Sequence, residues 1–112
     1  MNEKKIYISR LFDYYGALLS EKQQYAVEMY YNDDLSLSEI AESIGITRQG
    51  VRDQLKHAEE FMISCESKLG FAEKLNKVLT LSDRVKSICG ESNEPQLLEI
   101  SKINEEIAEL LS

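Results

Sequence analysis

The sequence has no Trp, one Pro, five Gly, two Cys and one His among 112 residues, and each scarcity removes a class of protein. So few Pro and Gly exclude a turn-rich all-β chain and a flexible linker, and the small share of Val and Thr beside many Leu, Ile, Glu and Lys points to helices. Cys65 and Cys89 stand alone, without a CxxC partner, and His57 is the single histidine. A structural zinc needs four closely spaced ligands, so no metal site is expected, and the lone thiols fit a reducing cytosol rather than a disulfide framework. P-loop, GxSxG and Gly-rich phosphate cradles are missing, which leaves no cofactor and no enzyme chemistry to assign. No apolar run could span a bilayer, and Ile6-Tyr7-Ile8 is closed off by Arg10 and Asp13 before it could serve as a signal peptide core, so a cytoplasmic protein without a membrane partner is expected.

Positive charge is also short, with 13 Lys and Arg against 20 Asp and Glu, a net charge of −7 and a pI near 4.7. A chain that held nucleic acid across its whole surface would carry the opposite balance, so any such contact must be local. Hydrophobic residues make up 43% and charged residues 29%, the range of a chain that folds around one modest core.

Apolar residues Ile6, Leu11, Phe12, Tyr15, Leu18 and Leu19 recur at helical spacing and predict a first helix over about Lys4–Leu18. Ser20 with Gln23 is a capping box that opens a second helix to about Tyr31, burying Tyr25, Val27, Met29 and Tyr30 to varying degrees. After the polar turn Asn32-Asp33-Asp34, Ser36 with Glu39 repeats the capping box for a short helix over Leu37–Ser43. Gly45 supplies the left-handed exit, and Thr47 caps a helix that runs to about Leu69. Gly70 marks either a kink or a joint between two helices, after which Phe71, Leu75, Val78, Val85 and Ile88 continue the register. Gly90 to Pro95 is a break, and Leu97, Leu98, Ile100, Ile103, Ile107, Leu110 and Leu111 define a last amphipathic helix. The expected fold is an all-α helical bundle, residues 1–69 forming a helix-turn-helix domain and 70–112 a C-terminal helical extension packed on the first part or on a second copy. A homo-oligomer, in the first place a dimer, follows from the long apolar stripe.

Residues 36–56 carry the information. Ile40, Ile44, Ile46, Val51 and Leu55 fill the slots between two crossing helices, Ala41 is small where they cross, Gly45 turns and Thr47 caps, all at helix-turn-helix offsets. From Tyr25 to Phe61 the run resembles the promoter-reading C-terminal region of bacterial sigma factors. That resemblance implies that Thr47, Arg48, Gln49, Arg52 and Lys56 face a nucleic acid, cations on phosphate and Gln49 on a base edge. It departs from a sigma factor at Asp53, a carboxylate on the reading helix, and at Gln54, where Leu55 must supply the packing contact instead. Three phosphate contacts give a log-log salt slope of only about −2.7 on duplex DNA, and Glu59 and Glu60 continue the helix with the opposite sign. The anions thus gather from Glu59 onward. The pairs Tyr14-Tyr15 and Tyr30-Tyr31 could stack bases but match the buried faces of the first two helices, so core packing is the expected role.

The chain further carries Leu11-Phe12-Asp13-Tyr14-Tyr15, Leu18-Leu19-Ser20-Glu21-Lys22-Gln23, Tyr30-Tyr31, Asp34-Leu35-Ser36-Leu37-Ser38-Glu39-Ile40-Ala41 and Thr47-Arg48-Gln49-Gly50-Val51-Arg52-Asp53. In these runs it resembles the YlxM family, small bacterial helix-turn-helix proteins associated with the signal recognition particle. The resemblance implies a non-enzymatic accessory protein whose partners are the particle's GTPase, its RNA, or both. A sequence-specific transcription regulator that uses the same residues on DNA is the alternative.

Overall fold

The computed structural model describes residues 3–111, and the fold is an all-helical bundle with a helix-turn-helix. The helices are α1 (Glu3–Tyr15), α2 (Glu21–Val27), α3 (Leu37–Ile44), α4 (Arg48–Leu69), α5 (Phe71–Cys89) and α6 (Pro95–Leu110). They divide into two compact units, one up to Ala72 and one from Glu73 onward.

The first unit is closed around a core to which every helix up to α4 contributes. The stripe that α1 buries is Ile8, Leu11 and Tyr15, with Leu19 beyond it, not the expected set that included Ile6 and Leu18. Those two are exposed: Ile6 lies about 160° around α1 from Ile8, and Leu18 belongs to the 3₁₀ turn Gly16–Leu18 that follows the end of the α-helix at Tyr15. Gly16 is required there: a Cβ would sit 2.8 Å from the Phe12 ring folded over the turn. Val27 and Ala26 from α2, Ile40 and Ala41 from α3, and Val51, Leu55, Ala58 and Met62 from α4 complete the core. Long, regular α4 is the axis on which the shorter helices pack.

Each capping signal in the sequence is realised. Ser20 accepts from the Gln23 amide while Gln23 accepts from the Ser20 amide, and Ser36 and Glu39 do the same. Hydrogen bonds from the Ser36 backbone and side chain hold the Glu39 carboxyl below the usual carboxylate range. Gly45 takes φ +79° at the end of α3, and Thr47 accepts from the Gly50 amide at 2.9 Å. Ile44 and Ile46 flank the turn and pack partly buried on the core.

The second helix differs from expectation. Regular α-helix ends at Val27, and Glu28–Asn32 widens into a π turn in which the Asp33 amide reaches back to the Glu28 carbonyl. Asp34 follows with φ +56°, a left-handed conformation that Asp tolerates better than most residues. Tyr25 lies on the outer face of α2, exposed, its hydroxyl donating to Glu21.

Gly70 is a joint. It takes φ +63° and caps α4, its amide bonding the Glu66 carbonyl. Within the first unit, one polar node holds Phe71 and Ala72. The Tyr15 hydroxyl donates to Glu66 Oε1 at 2.6 Å and accepts from the Phe71 amide, while the Ala72 amide donates to the same carboxylate. Burial, followed by the Glu66 hydrogen bond, raises the Tyr15 phenol above its ordinary range.

In the second unit α5 and α6 form an antiparallel hairpin. Ser82 Oγ donates to Asn104 Oδ1 at 2.8 Å and Asn104 Nδ2 to the Ser82 carbonyl at 2.9 Å. Of the stripe expected along α5, only Leu75 and Val85 are half-buried. The most covered positions in this unit are Ser82 and Cys89. Both cysteines are free thiols.

Candidate nucleic-acid interface

The second helix of the helix-turn-helix motif is α4, and its first two turns carry the residues singled out by sequence. Arg48, Gln49, Arg52 and Lys56 are all exposed. Spaced four apart, Arg48, Arg52 and Lys56 form one cationic line along the helix. Val51 and Leu55, buried on the adjacent face of α4, fix its rotation and leave that line at the margin of the core, facing solvent. Gln54 is half-covered while Leu55 makes the core contact, as the spacing required.

Two of the five candidate side chains are already engaged. The Thr47 hydroxyl oxygen is occupied by its capping bond. Gln49 Nε2 donates to Asp53 Oδ1 at 3.1 Å, one turn along, so the amide that would read a base edge is held by the carboxylate that would repel a phosphate. Asp53 therefore does more than subtract charge: it occupies the reading residue.

Glu59, which follows the cationic line on α4, is paired, while Glu60 beside it is exposed. Lys4, from the first turn of α1, lies 3.1 Å from Glu59 Oε1, and the Glu59 side chain is 14% exposed while that of Lys4 is 65% exposed. Tyr31 donates a second bond to the same carboxylate. Burial first, then the hydrogen bond and charge of Glu59, lift the Tyr31 phenol well above the usual tyrosine range. The ion pair of Glu59 with Lys4 thus bridges α4 to α1 and brings a residue 55 positions away in sequence to the end of the line. No local signal marks Lys4, because the pairing exists only once α1 has packed on α4.

Between these elements lies a cleft of about 320 Å³ lined by Lys4, Tyr30, Tyr31, Arg52, Lys56 and Glu59, with Leu37 and Leu55 also contributing to its wall. Tyr30 and Tyr31 meet edge to face, ring centroids 5.0 Å apart, and Lys5 stands 5.2 Å over the Tyr30 ring while its ammonium bonds Asp34 at 2.7 Å. Both rings are half-buried and pack against the core. Core packing and an aromatic wall beside two cations are here the same placement, which the π turn produces. Of the other pair, Tyr15 is enclosed and Tyr14 half-covered.

Among the described residues no group of His, Cys, Asp and Glu could hold a metal ion, and no helix is long and apolar enough to cross a membrane. The sequence model of the UPF0122 family, "Putative helix-turn-helix protein, YlxM / p13 like", matches residues 2–108. The chain belongs to this family. A UPF0122 protein of Thermoanaerobacter sp. (strain X514) is 39% identical over 115 residues, covering 98% of both chains. Another from Desulforamulus reducens is 46% identical over 102 residues, 85% of this chain and 84% of its own. A Bacillus thuringiensis member is 38% identical over 91 residues, 81% of this chain and 83% of its own.

Proposed function

We propose that this UPF0122 protein is a non-enzymatic, cytoplasmic accessory protein of the signal recognition particle, binding the particle's RNA, its GTPase, or both through the helix-turn-helix unit. The observation that carries this reading is the line Arg48, Arg52 and Lys56, extended by Lys4 across a tyrosine-walled cleft. Phosphates would lie on the cations, and an unstacked base has an aromatic wall beside them, an arrangement suited to RNA loops and single strands. Engagement of Gln49 by Asp53 counsels against base readout in a duplex groove. An acidic surface around a short cationic line favours a ribonucleoprotein, whose protein component supplies positive charge, over bare nucleic acid.

The test is a fluorescence-anisotropy titration of the full chain with particle RNA, with and without the GTPase. Binding is expected, weakened at least tenfold by Arg52→Ala with Lys56→Ala, together with a change in GTP hydrolysis. Failure to bind either component, with hydrolysis unchanged, overturns the reading. Transcription regulation is the second reading, favoured by the capped α4 and its exposed Arg48 and Arg52. Selection from a duplex library at moderate salt would then enrich a sequence whose binding Arg48→Ala abolishes; no enrichment removes it.

A further inference from the structure

The second unit has an open apolar face, and its charge pattern identifies what covers it. Within the hairpin, the covered positions are Leu75, Leu79, Ser82, Val85 and Cys89 on α5 and Leu97, Ser101, Asn104 and Ala108 on α6. These recur at steps of three and four, and the Ser82–Asn104 bonds fix the register. Each helix carries a second seam at the same spacing. On α5 it is Val78, Leu81, Val85 and Ile88; on α6 it is Ile100, Ile103, Ile107 and Leu110. Except for half-buried Val85, these residues are exposed, Ile88 to 78% and Leu110 to 84%.

In both helices the second seam is rotated from the first by the same angle in the same sense, roughly 100° at 3.6 residues per turn. Two antiparallel helices that face each other are related by a local two-fold axis perpendicular to their plane, so equally rotated seams emerge on one side of the hairpin. The result is one continuous apolar face. The opposite rotation on α5 holds Asn76, Thr80, Asp83 and Ser87, which are polar. The seven exposed seam residues present on the order of 700 Å² per chain, above the ~300–600 Å² of the largest patch on a typical monomer and near the ~800 Å² each partner gives to a standard interface.

Charge selects the occupant. Helix α5 bears Lys74, Lys77, Arg84 and Lys86 against Glu73 and Asp83, whereas α6 bears Glu99, Glu105, Glu106 and Glu109 against Lys102. Lys77 and Arg84 flank the outer margin of the α5 seam, and Glu99 and Glu106 that of the α6 seam. A second hairpin laid face to face, with its two-fold axis along the helices, sets each α5 antiparallel to the partner's α6. Arg84 then stands between the heights of Glu99 and Glu106 on the other copy. The alternative two-fold, perpendicular to the helices, would set basic α5 on basic α5 and acidic α6 on acidic α6.

We infer that two copies of this chain associate through α5 and α6 as an antiparallel four-helix bundle, with α5 of each copy against α6 of the other. This stands apart from the nucleic-acid reading, since it uses neither α4 nor the cleft. The experiment is sedimentation equilibrium of the full chain from about 1 to 50 μM, the range in which an interface of this size is populated. Expected is a mass twice the 12.8 kDa of one chain. Leu81→Asp with Ile103→Asp should raise the dissociation constant at least a hundredfold, and Ser87→Glu on the polar face should leave it unchanged. Should the double variant lose helicity by circular dichroism, the charge pair decides alone: Arg84→Glu should weaken the dimer about tenfold, and adding Glu106→Arg should restore it. A monomer throughout, a trimer, a dimer indifferent to the apolar face, or a dimer strengthened by Arg84→Glu alone overturns the inference.

Discussion

Removing one oxygen atom tests the polar node that closes the first unit. Tyr15 is 2% exposed, and its hydroxyl donates to Glu66 at 2.6 Å while accepting from the Phe71 amide at 3.3 Å. Tyr15→Phe keeps the ring packing and deletes both bonds. A hydrogen bond to a charged group contributes about 1.5–3 kcal/mol, and the Phe71 amide is longer and partly reachable by water, so the variant should lose about 2–3 kcal/mol. For a domain of this size that is roughly 10–20 °C in melting temperature. Urea unfolding of the full chain followed by circular dichroism should show a lower midpoint at an unchanged slope. Glu66→Gln, which keeps an oxygen for both donors, should cost less. The pH dependence has a definite sign. Because the folded phenol titrates above 10, the unfolded chain releases its proton first, so this stability is complete below pH 10 and is lost as pH rises toward the folded value. Tyr15→Phe should therefore flatten part of the alkaline loss, the remainder coming from Tyr31, whose phenol is raised in the same direction. A loss under about 0.5 kcal/mol, or an identical alkaline profile, would refute the assignment of the node as a structural clasp.

Ser36→Ala removes the cap of α3 and should cost about 1 kcal/mol by thermal melting; the Glu39 half of the box, whose carboxyl is held low, should contribute above pH 4.5 and fade as pH falls through its folded value, seen as an acid-limb difference between wild type and Glu39→Gln. Gly16→Ala drives a methyl against the Phe12 ring and should destabilise by about 1–3 kcal/mol, with Phe12→Leu in the same chain recovering part of it. On a single-stranded RNA, Arg52→Ala should reduce the magnitude of the log-log salt slope by about 0.7, measured by anisotropy; an unchanged slope means that Arg52 does not meet a phosphate.

Local signals were legible because their physics is local. Capping boxes at Ser20 and Ser36, the left-handed exit at Gly45 and the Thr47 cap each involve atoms within about one helical turn, and the structure has all of them. Periodicity placed α1 but misassigned its edges: Ile6 is out of phase with Ile8, Leu11 and Tyr15 on the helix, and Leu18 falls in the turn after Gly16, which the spacing alone does not reveal. The π turn at Glu28–Asn32 has no recognisable pattern, and it is what positions Tyr30 and Tyr31. Lys4 was invisible for a different reason. Its role at the cleft is a long-range pairing with Glu59, and a sequence reading of α4 alone turns that carboxylate into an objection.

The placement of charge also alters the salt argument. The excess of anions is larger from Glu59 onward, yet neither unit is free of it: the chain carries eight Lys and Arg against twelve Asp and Glu up to Ala72, and five against eight beyond it. The cationic line therefore sits in a unit that is itself acidic. At 0.01 M salt the screening length is ~30 Å, so phosphates approaching α4 feel remote carboxylates; at 0.15 M it is ~8 Å and they feel chiefly Arg48, Arg52 and Lys56. Added salt first screens repulsion and then weakens the contacts, two effects of opposite sign. A plot of log affinity against log salt for single-stranded RNA should accordingly be shallow at low salt and steepen toward about −2.1 for three contacts, or about −2.8 if Lys4 joins them. A straight line of constant slope across that range would mean that the remote acids exert no influence on the site.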